Sequence, residues 1–158
     1  NRFYMYGVIA RLAMLAASLV GLGTTATKAE CLTLFDTRIS VFDYSNGPTN
    51  KIAKAMVLNE FESGSWELWV WMDSRYNWDV HMYTVSQAPN GVWYPVPNQD
   101  VWRSYVKTAS MSMTYSKCMN VCPLQIITYI EVFDPFTGEL VSWNFARVRQ
   151  PPPPPPKD

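Results

Sequence analysis

The chain has 158 residues, with 13 Lys and Arg balanced by 13 Asp and Glu. That length suits one domain with short tails, and zero formal charge argues against the clustered Lys and Arg of a nucleic-acid protein. Charged residues at 16% and aromatics at 15%, including seven Trp, exclude a disordered chain.

Residues 1–29 contain no acidic side chain. Arg2 and Arg11 precede the apolar run Leu12–Gly23, and small and polar residues follow up to Ala29. That order is the order of a secretory signal, with cleavage expected before Glu30. The alternative is a membrane anchor if residues 6–23 are retained. An arginine inside a short apolar run disfavours it, because a spanning helix needs about 20 apolar residues. Losing Arg2, Arg11 and Lys28 leaves the mature chain about three charges negative. Export predicts a secreted, periplasmic or cell-surface location.

From Cys31 to Tyr44 the residues are rich in Thr, Ile, Val and Phe, and Ser45–Pro48 reads as a turn. Lys51–Phe61 fits either a helix, with Ile52, Ala55, Met56 and Asn59 on one face, or a strand. Trp66–Met72 is the strongest strand signal: Trp66, Leu68, Val70 and Met72 alternate with Glu67, Trp69 and Trp71. Asp79–Val85 alternates as well. Ala88–Gly91 carries the Asn-Gly pair of a tight hairpin. Val92–Val96 is short and broken by proline, which predicts an edge strand. Val101–Tyr115 is a long alternating run. Leu124–Phe133 and Leu140–Val148 flank Asp134-Pro-Phe-Thr-Gly138 as a second hairpin. Seven or eight short strands separated by turns predict an all-β antiparallel sandwich or barrel over residues 30–149.

Gln150 precedes six prolines, Pro151 to Pro156, which lock φ and favour a polyproline II tail over residues 150–158. The tail is either a stiff spacer or a rod that docks in an aromatic groove.

Cys31, Cys118 and Cys122 are the candidate disulfide residues. An odd number leaves one thiol over. In an extended strand Cys118 and Cys122 would stand about 13 Å apart, too far to bridge, but Asn120 and Pro123 favour a turn in which they meet. A bridge from Cys31 to either of them is the other option.

Catalytic patterns are missing from the sequence. His81 is the only histidine, and no Gly-x-Ser-x-Gly elbow, Walker loop or dinucleotide fingerprint accompanies it. Cys118, Cys122 and His81 would supply only three metal ligands without the paired spacing of structural zinc. Glu67, Asp73, Asp79, Glu131 and Asp134 fit strand ends and turns better than a glycosidase pair. No cofactor, metal or catalytic residue is expected.

The aromatic surplus remains. Trp69, Trp71, Tyr76, Trp78, Trp93 and Tyr94 are the candidate interaction residues, together with the Pro151–Pro156 tail. Those placed in turns (Tyr76, Trp78, Trp93 and Tyr94) are expected to be exposed, as interface anchors are. The sequence therefore predicts a non-enzymatic structural or interaction subunit of a cell-surface, periplasmic or extracellular assembly. Its expected partners are protein subunits, with a homo-oligomer or filament as the first expectation and strand addition by the segment after Cys31 as one means. The alternatives are a carbohydrate-binding, lectin-like module and an accessory subunit of a membrane complex.

Overall fold

The computed structural model describes residues 31–39, 52–60, 64–117 and 119–158. The signal-like segment 1–29 and Cys118 lie outside them. No helix among the described residues is long and apolar enough to cross a membrane.

Six antiparallel strands form one sheet that is nearly closed into a barrel: β1 (Leu34–Ile39), β2 (Ala53–Glu60), β3 (Ser65–Gln87), β4 (Trp93–Ser116), β5 (Gln125–Phe133) and β6 (Leu140–Arg149). The all-β expectation holds, with fewer and longer strands than the seven or eight short ones expected. Trp66–Met72 and Asp79–Val85 are halves of the 23-residue β3, and the two runs after the Asn-Gly turn merge into the 24-residue β4. The ambiguous run Lys51–Phe61 contains strand β2.

The spatial order is β1-β6-β5-β3-β2, with β4 on the other edge of β3. One edge of β3 pairs with β2 over Ser65–Met72 and with β5 over Asp79–Gln87. The partner changes where β3 bends. Register with β4 slips between Asp73 and Trp78, and the Ser74 hydroxyl accepts from the Tyr76 amide at 3.1 Å and from Trp78 Nε1 at 2.9 Å. Irregularities of this kind turn barrel corners. Tyr76 and Trp78 thus sit inside a strand at a bend, not in a turn.

Alternation builds the core. Trp66, Leu68, Val70, Met72, Val80 and Met82 of β3 face inward against Ile130 and Val132 of β5 and Val148 of β6. Each fully buried aliphatic side chain of this kind contributes about 1.5–3 kcal/mol. Several buried polar groups of the core are paired, as interiors require. Thr84 Oγ1 bonds Thr128 Oγ1 at 2.8 Å. The seam between β2 and β6 is held by side chains: the Ala53 amide donates to Ser142 Oγ at 3.3 Å, and Asn144 Nδ2 donates to the Ala53 carbonyl at 3.1 Å.

Both sequence-marked hairpins form. At the first, the Gly91 amide donates to the Ala88 carbonyl at 2.8 Å, and Gly91 takes φ +85°, a conformation that disfavours side chains. At the second, Asp134 Oδ1 accepts the amides of Phe136 and Thr137 at 2.8 and 3.1 Å.

The segment after Cys31, expected as a donor for strand addition, is used within the fold. β1 pairs with β6 from Leu34↔Arg149 to Ile39↔Asn144. Arg147 grips Asp36 through Nε at 2.8 Å and Nη2 at 2.6 Å. The Arg147 hydrogen bonds hold the Asp36 carboxyl below its ordinary value of 3.8. A depressed carboxyl stabilises the fold above its unfolded pKa and loses that contribution as pH falls through the folded value. Asp36→Asn is therefore expected to cost about 0.5–1 kcal/mol at neutral pH. The gap from wild type should close as pH falls below 3.8, as followed by thermal melts. An unchanged gap at acid pH would mean the pair does not titrate as a unit.

Candidate interaction face

The outward side of the sheet is built by the residues that alternate with the core. Register sets His81 between Trp102 on β4 and Glu131 on β5. Tyr83 faces Tyr129, Tyr129 faces Phe145, and Glu131 faces Trp143. The side chains stack both along and across strands. His81 and Trp102 lie 4.1 Å apart at 6°, His81 and Tyr83 4.5 Å at 27°, and Tyr83 and Tyr129 5.2 Å at 25°. Phe133 continues the row from Trp102 at 5.7 Å, and Phe145 with Trp143 continues it from Tyr129 across β6. Each such pair contributes about 0.5–1.5 kcal/mol beyond its buried area.

Acids flank the row. Asp100 Oδ1 lies 2.6 Å from His81 Nε2, and Glu131 Oε1 lies 3.4 Å from Nδ1. An imidazolium can donate to both, a neutral ring to one. Burial first, and Glu131 second, push the Tyr83 phenol up to about 12. Burial also raises Tyr129. Both phenols therefore stay neutral near neutral pH.

Most of these rings are half-buried, but Trp102 is 57% exposed. No cluster of three or more His, Cys, Asp or Glu side chains is spaced to hold a metal among the described residues.

The expected interaction residues are scattered. Trp69 and Trp71 form their own pair at 4.8 Å on the outer side of β3, opposite Ser112 and Ser110. Trp78, expected to be exposed, is only 8% exposed, because the bend at Ser74 turns it into the core. Tyr76 is exposed and lines a shallow cavity of about 370 Å³ with Arg75, Trp78, Tyr105, Lys107 and Phe136. Trp93 and Tyr94 are exposed at the start of β4, opposite Gln87 and Ser86. Pro151–Pro156 is exposed and outside the strands. An apolar cavity of about 320 Å³ lies among Pro89, Val96, Met113, Met119, Val121 and Pro123. The stacked row itself was missed as a unit. Its signal was the outward alternation Tyr129, Glu131, Phe133 and Trp143, Phe145, Arg147, which acquires meaning only once strand register is known.

No protein-family model and no curated protein matches the chain. Among solved structures, one named pT26-6p aligns with 75% of this chain at 6% identity and a TM-score of 0.38. The aligned region spans about a quarter of that protein's own length, 24%.

Proposed function

We propose that the chain is a non-enzymatic interaction subunit of a cell-surface, periplasmic or extracellular assembly. It engages protein partners, other copies of itself first among them, through the outward aromatic face. The observation that carries this reading is the aromatic row from Phe133 through Trp102, His81, Tyr83 and Tyr129 to Phe145, stacked up to Tyr129 and tilted at Phe145, crossing four strands on the solvent side. Aromatic rings concentrated at one surface are the usual anchors of a protein interface. Stacking between neighbours occupies ring faces, and a pyranose needs a free face to stack on. That geometry supports protein contact over sugar contact here.

β4 adds a second element. Among the described residues it pairs with β3 alone, so its outer edge is open to strand addition. Pro95, Pro97 and the left-handed Asn98 and Tyr105 interrupt its first half. Thr108–Thr114 contains neither proline nor charge and is the part suited to accept a strand. Export rests on the order of basic, apolar and small residues in 1–29. The proline tail remains a candidate spacer or docking rod.

The carbohydrate-binding alternative draws on a different place, the exposed Trp69 with the half-buried Trp71 beside Ser110 and Ser112. Light scattering across a concentration series distinguishes the readings. Wild type is expected to self-associate, and Trp102→Ala to weaken association at least tenfold, about 1.4 kcal/mol or more. A protein that stays monomeric throughout and binds a glycan, with binding lost in Trp69→Ala, would sink the assembly reading.

A further inference from the structure

Two cysteines far apart in the sequence meet at one end of the barrel. Cys31 precedes β1; its amide donates to the Lys117 carbonyl at 2.8 Å and its thiol to the Met119 carbonyl at 3.6 Å. Cys122 lies between β4 and β5. There the Gln150 side-chain amide donates to the Cys122 and Pro123 carbonyls at 3.4 and 2.8 Å. The Cys31 thiol lies against the Met119 carbonyl, three residues before Cys122, and both cysteines pack against the same core, close enough to influence each other. Tyr115 packs beneath them, with its hydroxyl buried and unbonded.

We infer that Cys31 and Cys122 are disulfide partners, so that oxidation fastens the start of β1 to the segment leading into β5. Neighbouring cysteines on backbones fixed by hydrogen bonds can bridge with little chain movement. Cys118 lies outside the described residues and is not a member of this pair.

The oxidant is a small or protein disulfide, RSSR. One cysteine thiolate attacks a sulfur of RSSR, giving a mixed disulfide and expelling RS⁻. The other thiolate then attacks the mixed disulfide, forming the Cys31–Cys122 bond and expelling the second RS⁻. Two protons and two electrons leave the cysteines, and two RSH result. Burial, reinforced by the neighbouring Cys31, pushes the Cys122 thiol up to about 11. A thiol of high pKa is a poor leaving group, so the finished bridge resists reduction by thiol exchange. The pairing is a property of the fold and goes beyond the proposed function; export would supply only the oxidising compartment.

The test uses the full chain, oxidised with glutathione disulfide, alkylated and mapped with trypsin without reduction. Cleavage at Lys28, Arg38, Lys117 and Arg147 places Cys31 in peptide 29–38 and both other cysteines in peptide 118–147. Wild type and Cys118→Ser are expected to give the two peptides joined, and Cys122→Ser to give them separate. In Cys118→Ser, reduction should lower the melting temperature by roughly 10 °C or more. In Cys31→Ser, reduction should leave it unchanged. A link that persists in Cys122→Ser, a link lost in Cys118→Ser, or fully alkylated cysteines in oxidised wild type would each overturn the pairing. Should Cys122→Ser fail to fold, the Cys118→Ser map decides alone: joined peptides support the pair and separate ones refute it.

Discussion

Trp66→Ala is expected to lower the unfolding free energy by about 3–5 kcal/mol in a urea titration. Trp66 is 2% exposed, so removing the indole leaves a large cavity at the end of the barrel. Three other contacts go with it. Indole Nε1 donates to the Leu32 carbonyl at 3.0 Å, the Phe35 ring lies 5.3 Å away, and the Lys117 ammonium sits 5.2 Å from the ring centroid. The Leu32 and Phe35 contacts tie the start of β1 to the start of β3, strands that do not pair among the described residues. Trp66→Phe keeps much of the apolar area but leaves the Leu32 carbonyl without its donor, which costs about 1–3 kcal/mol. A loss below about 1 kcal/mol for Trp66→Ala would mean that this end of the barrel is not packed as described.

Asn144→Ala is expected to cost about 2–4 kcal/mol, because its side chain serves both the Ala53 carbonyl and the Phe145 amide. Asn144 is completely buried, and its Nδ2 is the donor to the Ala53 carbonyl at 3.1 Å. Ala53 is also buried, so water has little access to the vacated acceptor. Ser142→Ala removes the longer 3.3 Å bond to the Ala53 amide and should cost less, about 1 kcal/mol. The double variant is expected to lose less than the sum of the singles, since both groups serve one residue of β2. Equilibrium denaturation of the three variants measures all of this. Strict additivity would show that Ser142 and Asn144 do not act as one latch.

Much of the architecture was legible in the residue pattern. The period-two alternation of Trp66–Met72 separated the two faces of that strand, without saying which is inward, and Asn90-Gly91 and Asp134–Gly138 marked real hairpins. Strand length was not legible. Asp73–Trp78 looks like a break because its alternation lapses, but pairing with β4 resumes beyond it and a bulge absorbs the mismatch. Lys51–Phe61 was ambiguous because its apolar residues satisfy both periods, and pairing with the β3 tryptophans decides for a strand.

The candidate face was less legible than the fold. Single tryptophans could be flagged, but not which of them share a surface. Trp78 was misjudged because the Ser74 hydroxyl holds its indole nitrogen at the bend and turns the ring inward. His81 looked like an ordinary strand residue, and its two acidic neighbours come from β4 and β5, 19 and 50 positions away in sequence. Such a cluster has no linear motif.

The β1–β6 pairing sets Leu34 beside Arg149, so the described chain enters and leaves the barrel side by side. Tension applied between these ends would peel β1 from β6 one hydrogen bond at a time, with no row of bonds sharing the load in shear. Resistance to pulling would then depend on the first few links met, the Thr33–Arg149 bond at 3.2 Å and the Arg147–Asp36 grip. A covalent tie at Cys31 would carry the strain past β1 into the middle of the sheet before that zipper is reached.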